Sequence, residues 1–201
     1  MLMKAIYLIR HGEIEGENPR KFIGRTDLPL TNRGRQQLGA LRDHLSVQSF
    51  ERVVCSPLMR CKESADILFA SSKLTIESEQ DFSEIDLGDW EGLTVAEVKT
   101  RFPGAYGARG LNLPGYRTSH GESFIDLLAR VWPALLALIE TTTSQTALVA
   151  HAGVNRVLLC HILGISLSHM FRLQQDYGCY NVIYVGENGM RVGCVNCLPS
   201  Q

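Results

Sequence analysis

Three short apolar runs constrain the fold of this chain more than any other feature of its sequence. They are KAIYLIR (4–10), RVVCS (52–56) and TALVA (146–150), and none of them alternates apolar with polar residues. Such runs are typical of strands that are buried on both faces. Because segments of helical character lie between them, the sequence predicts an α/β fold with a mostly parallel sheet covered by helices on both faces.

Capping residues indicate where the helices begin. Thr31 precedes a helix predicted from about 32 to 45, and Ser56 is expected to cap a helix whose first residue is Pro57. Ser123 forms a capping box with Asp126 three residues later. The helix that follows, over 124–140, should be kinked or split by Pro133. The remaining predicted elements are a short strand at 74–80, helices at 94–102 and 155–163, and a hairpin of 180–185 and 190–195.

The composition is that of an ordinary globular domain. The chain has 201 residues, of which 45% are hydrophobic, and a net charge of −1. We therefore expect a single domain over 1–201 with no nucleic-acid surface and no membrane span, while a homo-oligomer stays open. The start of the chain lacks the pattern of a secretory signal, and its six cysteines are scattered. We expect a cytoplasmic protein with reduced thiols.

Polar residues follow each of the three apolar runs. Arg10 and His11 end the first run, His151 ends the last, and Arg60 falls in the first turn of the helix after the second. Ligands of open parallel sheets bind at the carboxyl ends of the strands, so these side chains should converge there. Arginine forks and helix N-termini both suit phosphate oxygens. The sequence therefore predicts a phosphate pocket, with Gly12 giving the backbone room to approach.

His11 is the predicted nucleophile. Neutral imidazole can attack phosphorus, and cationic neighbours would keep the ring neutral and offset charge on the transferring oxygens. Either histidine taken singly would favour a structural role. The occurrence of such polar residues at all three strand ends favours a catalytic role instead.

The acidic loop at 81–92 is the expected source of a proton donor. Glu84 is the first candidate and Glu91 the second, because partial burial beside apolar neighbours suits a carboxyl group that acts as a general acid. The alternative is a solvated acidic loop with no catalytic role.

Together these segments resemble the histidine phosphatase superfamily, the phosphoglycerate mutase-like proteins. The resemblance rests on LIRHGE, FIGRTDLPLTNRG, CSPLMRCKESADIL, EIDLGDWEG, HGESF and VAHAGVNRVLLCHILGI, which follow the family order. It is nearest to the branch of alpha-ribazole phosphatase and fructose-2,6-bisphosphatase. His120 stands where the family usually has a glycine.

The resemblance implies a three-layer α/β sandwich and a metal-independent phosphatase without a cofactor, acting on a small phosphorylated metabolite such as alpha-ribazole 5'-phosphate. It implies these roles: His11 as phosphorylated nucleophile, Glu84 as general acid, Arg10, Arg60 and His151 as phosphoryl ligands, and Asn18 and Gly24 as substrate contacts. A phosphoglycerate mutase-like transferase would share these residues, and a non-catalytic phospholigand binder could share the fold.

Two segments carry further expectations. The excursion at 103–121 shows no periodic pattern and is a candidate lid or a merely mobile loop. Its side chains available to a substrate are Tyr106, Arg109, Tyr116 and Arg117. Cys194 and Cys197 form a lone two-thiol motif, which we interpret as structural. The tyrosines of 175–181 could face the site, but packing in the core is the favoured interpretation.

Overall fold

The computed structural model describes residues 4–16 and 19–199, and within these ranges the strands form one six-stranded sheet. The strands are β1 (Lys4–Arg10), β2 (Arg52–Cys55), β3 (Ile76–Ser78), β4 (Gln145–Ala150), β5 (Tyr180–Gly186) and β6 (Gly189–Cys197). Their order across the sheet is β3-β2-β4-β1-β5-β6. The first four are mutually parallel, and the β5–β6 hairpin adds two antiparallel strands beyond β1. The predicted mostly parallel sheet is confirmed.

Helices cover both faces of this sheet. Alternate residues of β1 divide between two apolar cores, with Leu8 in one and Ile9 in the other, because successive side chains of a strand point to opposite faces. One core includes residues of α1 (Asn32–Leu45) and α2 (Met59–Leu68). The other includes residues of α5 (Phe124–Thr141) and α6 (Ala152–Leu163). The three-layer α/β sandwich is confirmed.

The helix after β2 begins later than predicted. It starts at Met59, and Leu58 occupies the N-cap position without a side-chain hydrogen bond. The Ser56 hydroxyl accepts the backbone N–H of Leu58 at 3.4 Å, just before the helix, and it also lies 2.7 Å from a ring nitrogen of His151. The predicted local contact is therefore present but weak, and a shorter tertiary contact accompanies it.

The long helix α5 runs through Pro133 without a break. Its predicted capping box is confirmed, with Ser123 and Asp126 bonded reciprocally. Proline removes one backbone hydrogen bond from a helix, but the fully buried Val131 and Leu135 pack this segment against the sheet. Tertiary packing thus stabilises a helix that we predicted to be kinked or split at Pro133.

The excursion at 103–121 is more regular than expected. After α3 (Val95–Arg101), a two-turn helix α4 (Ala105–Leu111) forms inside it, entered through Gly104 in the left-handed region at φ 81°. Tyr106 and Arg109, three residues apart, lie on one face of α4. No helix in the described part of the chain is long and apolar enough to cross a membrane.

Candidate active site

The polar strand ends meet at one edge of the sheet. Arg10 of β1 lies opposite Ala150 of β4, and Cys55 of β2 lies opposite Val149 of β4. The strands β2, β4 and β1 therefore end side by side. The backbone N–H of His11 then donates to the carbonyl of Ala150 at 3.1 Å, which continues the pairing past the strand. The predicted convergence of these strand ends is confirmed.

His11 is buried and its ring orientation is set by its own neighbour. Nδ1 lies 2.8 Å from the carbonyl oxygen of Gly12. Because a carbonyl oxygen only accepts, the neutral ring carries its proton on Nδ1 and keeps the lone pair on Nε2. Burial, followed by the charges of Arg60 and Arg10, holds the pKa of His11 well below 6.5. His11 is therefore a neutral imidazole with an available nucleophilic nitrogen at neutral pH.

Arg60 is a buried cation fixed by neutral acceptors. Its Nη1 and Nη2 donate to the carbonyls of Thr26 and Gly24 at 2.8 and 2.6 Å, and its Nε donates to Nδ1 of His151 at 3.3 Å. A guanidinium has five N–H groups, so donors remain for a ligand. No described carboxylate forms an ion pair with it. The site thus holds a positive charge that suits a phosphoryl group.

His151 lies behind Arg60, fully buried. Since Nδ1 accepts from Arg60, Nε2 carries the proton and donates to the hydroxyl of Ser56. Its ring centroid is 5.2 Å from that of His11. Burial and then the charge of Arg60 hold its pKa well below 6.5. In this arrangement His151 contacts Arg60 directly and supports it from within the fold.

Arg10 stacks on Tyr177, one of the tyrosines for which the sequence left a place at the site open. The guanidinium carbon lies 3.6 Å from the ring centroid, and Nη1 donates to the carbonyl of Gln175 at 2.7 Å. The same ring lies 5.5 Å from His11 and lines the cavity. Tyr177 also packs against one of the two apolar cores, so it both faces the site and contributes to the core, while Tyr180 packs on Tyr7.

Glu84 faces the same cavity from the opposite layer. Its Oε2 accepts the backbone N–H of Gly153 at 2.9 Å, and Gly153 is the second residue of α6. A Cβ at position 153 would lie 2.2 Å from Oε1 of Glu84, so only glycine allows this approach. The first candidate for the proton donor is thus held at the cavity wall.

Arg130 and Glu122 hold the loop that carries Glu84. Arg130 donates to the carbonyls of Asp81, Ser83 and Glu84 at 2.6–2.9 Å, and to both oxygens of Glu122. Glu122 in turn accepts from the backbone N–H of residue 86. Sequence reasoning missed both residues. Glu122 belongs to the HGES segment, whereas its partner Arg130 lies on α5, outside every motif that the sequence analysis used.

Glu91, the second candidate for the proton donor, has a structural position instead. Its carboxylate accepts the backbone N–H groups of Gly24, Arg25, Thr26 and Leu87. Gly24 is enclosed by this contact and by Arg60, and a Cβ there would meet the carbonyl of residue 85 at 2.1 Å. The structure therefore places Gly24 where it fixes Arg60. Asn18, the other expected substrate contact, lies outside the described residues.

Two other positions have surroundings that the sequence did not show. A Cβ on Gly12 would lie 2.6 Å from the carbonyl of Gly34, so the approach of α1 by itself requires a glycine there. His120 is exposed, has φ 59°, and its Nδ1 lies 3.1 Å from Asp89. It closes a surface loop.

The cavity above these residues has a volume of about 920 Å³. Tyr106 and Arg109 of the excursion line it, whereas Tyr116 packs on Trp90 and Arg117 pairs with Asp126. The basic residues that line it are Arg10, Arg20, Lys21, Arg60, Arg109 and Arg156, and its acidic residues are Glu84 and Asp176. The excess of positive charge favours an anionic ligand.

No cluster of three or more metal-ligating side chains occurs among the described residues. Cys194 and Cys197 therefore do not belong to such a cluster. Cys194 packs beside one of the two apolar cores.

Comparison with known proteins places this chain in a family. The model of the histidine phosphatase superfamily (branch 1) matches residues 6–198. The chain belongs to the histidine phosphatase superfamily. Within this superfamily, the chain is 28% identical over 90% of both lengths to adenosylcobalamin/alpha-ribazole phosphatase of Escherichia coli. It is 29% identical to phosphoserine phosphatase 1 of Hydrogenobacter thermophilus, over 92% of this chain and 88% of the relative.

Solved structures of the superfamily show the same architecture. A putative alpha-ribazole-5'-P phosphatase from Escherichia coli superposes with a TM-score of 0.89 at 26% identity, covering 96% of both chains. Relatives named as phosphatases thus support phosphatase activity for this superfamily member, and they differ among themselves in substrate.

Proposed function

We propose that this protein hydrolyses phosphate monoesters of a small metabolite through a phosphohistidine formed on His11. The observation that carries the proposal is the neutral His11 ring, whose Nε2 keeps its lone pair beside two arginines that no described carboxylate neutralises. Protein groups supply the nucleophile, the positive charge and the proton donor, so the proposed reaction uses neither a metal ion nor an organic cofactor.

In the first step Nε2 of His11 attacks phosphorus in line. The N–P bond forms as the bond from phosphorus to the ester oxygen breaks, and protonated Glu84 gives its proton to the leaving alcohol. Arg10 and Arg60 hold the equatorial oxygens, where charge is shared in the transition state. The Nδ1 hydrogen bond to Gly12 keeps the attacking nitrogen oriented.

In the second step water attacks the phosphohistidine. The Glu84 carboxylate accepts a proton from this water as the O–P bond forms and the N–P bond breaks, which releases inorganic phosphate and restores the neutral ring. A mutase would return the phosphoryl group to an alcohol at this point. Omitting and adding a bisphosphate primer while product is measured separates the two outcomes, and hydrolysis requires no primer.

The decisive experiment replaces the nucleophile. His11→Asn should lower kcat for p-nitrophenyl phosphate by a factor of about 10⁴ or more, because the covalent route is lost. Rapid quenching with a ³²P-labelled ester should trap acid-labile label on the unsubstituted protein and none on the variant. The exposed His44→Asn is the matched control and should retain both activity and label. Near-normal turnover by folded His11→Asn, or the absence of labelled protein, would contradict the proposal.

The substrate is a separate question. Alpha-ribazole 5'-phosphate is the first compound to test, because the relatives from Escherichia coli and Salmonella typhimurium are named as phosphatases of that compound at 28% and 26% identity. Phosphoserine belongs in the same screen because of the Hydrogenobacter relative. Release of inorganic phosphate, compared as kcat/KM, ranks these esters.

A further inference from the structure

The cavity holds more positive charge than one phosphoryl group needs. Beyond Arg10 and Arg60, it is lined by the exposed Arg20 and Lys21 and by two half-buried arginines, Arg109 from α4 and Arg156 from α6. Neither of these two forms an ion pair with a described carboxylate. They therefore form a second group of cations inside one cavity.

Arg109 is surrounded by aromatic rings. Its guanidinium carbon lies 5.8 Å from the ring centroids of Phe22 and Phe124 and 5.9 Å from that of Phe171. No hydrogen bond joins Arg109 to another side chain or carbonyl in the described residues, and burial lowers its pKa. Aromatic faces attract a cation but do not neutralise it. The guanidinium thus keeps its charge and its donors for a ligand.

Arg156 of α6 reaches the same aromatic ring. Its guanidinium carbon lies 5.4 Å from the centroid of Phe171, and its Nε donates to the carbonyl of Leu173 at 2.8 Å. Burial, and then the like charge of Arg10, lower its pKa. Two guanidinium groups therefore share one ring, Phe171.

The carboxylates of the cavity form no ion pair with Arg109 or Arg156, although the charge of Glu84 offsets part of the lowering of the Arg156 pKa. Glu84 accepts the N–H groups of Gly153 and Ile85, and Asp176 accepts from the side-chain amides of Gln174 and Asn196. An anion that enters the cavity would supply the missing negative charge. Charge-assisted hydrogen bonds to arginine are among the strongest that a protein makes, so such a ligand would gain affinity there.

We propose that the alcohol part of the substrate carries a second anionic group, a carboxylate or a second phosphate, which Arg109 and Arg156 bind while Arg10 and Arg60 hold the scissile phosphoryl group. This inference rests on the proposed function. It divides the cavity into a reacting end and a recognition end. Alpha-ribazole 5'-phosphate, whose only anionic group is the scissile phosphate, then ranks below esters that carry two anions.

Matched pairs of esters test the inference. 3-Phosphoglycerate differs from glycerol 3-phosphate only by a carboxylate in place of a hydroxymethyl group, and fructose 1,6-bisphosphate differs from fructose 6-phosphate by a second phosphate. We expect kcat/KM to be about tenfold or more higher for the doubly anionic member of at least one pair. The pair that shows the larger ratio identifies whether the second group is a carboxylate or a phosphate. Ratios near one in both pairs overturn the inference.

Variants then assign the preference to these arginines. Arg109→Met and, separately, Arg156→Gln should each reduce the ratio within the preferred pair to near one, and Arg109→Lys should restore part of it. Arg101→Met removes an arginine from the exposed face of α3 and should leave the ratio unchanged. A merely structural role would lower kcat/KM for both members equally, and that result overturns the inference.

The two proposals fail in distinguishable ways. If no labelled phosphoprotein forms and p-nitrophenyl phosphate is not hydrolysed, the proposed function is wrong. If label forms and p-nitrophenyl phosphate is hydrolysed but the paired esters are treated alike, only the second anion site is wrong.

Discussion

Arg60 and Arg130 are both largely buried arginines, but their surroundings are opposite. Arg130 donates to both oxygens of Glu122 and to three backbone carbonyls, so its charge is neutralised within the protein. Arg60 donates to two carbonyls and to an imidazole, all of them uncharged acceptors. The first arginine completes a structural network, whereas the second keeps a net positive charge at the cavity.

This difference shows how the fold separates stability from binding. A buried charge without a counter-ion is costly, and proteins retain such a group where a ligand compensates it. This protein contains both kinds of arginine. Arg130 fixes the residues around Glu84, whereas Arg60 has no counter-ion among the described residues and is available to bind an anion. The comparison can be tested from either side.

The largest expected effect comes from Arg60. Arg60→Met should lower kcat/KM for p-nitrophenyl phosphate by a factor of about 10³ or more, since the transferring oxygens lose a cation. Steady-state kinetics measure the loss. Arg60→Lys keeps the charge without the planar fork and should recover only part of the activity. Full activity in Arg60→Lys would show that charge alone matters.

Arg130→Met should act mainly on stability. It leaves Glu122 without its main partner in a site where the two side chains are 18% and 20% exposed, and we expect the free energy of unfolding to fall by about 3 kcal/mol. Urea unfolding measures this change. The fall in kcat should be smaller than for Arg60→Met, because Glu84 is displaced and not removed. A variant that loses activity as Arg60→Met does, with unchanged stability, would contradict the distinction.

The two buried histidines also predict a pH dependence, because burial and then the charge of Arg60 lower their pKa values. His11 and His151 have lowered pKa values in the folded protein, so the unfolded chain takes up these two protons at higher pH. The stability contributed by the neutral rings is therefore present above about pH 6.5 and is lost as the pH falls toward the folded pKa values. Unfolding free energies measured from about pH 8 down to about pH 5.5 should decline, and less steeply in His11→Asn.

NMR titration of the His11 ring tests the cause directly. Arg10→Met should raise the pKa of His11, because it removes one of the positive charges that lower it. A midpoint for His11 at or above its ordinary value in the unsubstituted protein would show that the arginines do not act as described.

The smallest effect is expected at the surface. Arg101 lies 4.0 Å from Glu97 on α3, and the two side chains are 59% and 45% exposed. Arg101→Met should change the free energy of unfolding by less than about 0.5 kcal/mol and leave kcat unchanged. A larger loss of unfolding free energy in the same assay would show that exposed ion pairs contribute more to the stability of this protein than expected.

Some of the site could be predicted from local patterns. Arg10 and His11 follow an apolar run, as His151 follows another, and strands place such residues at a sheet edge whatever the rest of the chain does. The capping box at Ser123 was predictable for the same reason, because its partners are three residues apart. The unbroken α5 was not predictable, since the packing that stabilises it through Pro133 comes from distant segments.

Residues that act through distant partners escaped the sequence reasoning. Tyr177 supports Arg10 across 167 positions of the chain, which no window of sequence reveals. Glu91 looked like a proton donor in its own loop, yet its carboxylate binds the backbone of residues 24–26. Gly12 was predicted to give the backbone room at the pocket, and the close approach of Gly34 is a further requirement for glycine that the sequence did not show.

The sequence by itself therefore determined the layered fold and the chemistry gathered at the sheet edge, because strand periodicity, capping and residue type are local properties. Only the tertiary structure decided which charges are neutralised. Arg60 and Arg130 are the same residue type on opposite faces of the sheet, and they differ because one meets carbonyls and an imidazole while the other meets Glu122. Whether a buried cation completes the scaffold or binds a ligand depends on its acceptors, and folding brings these from distant parts of the chain.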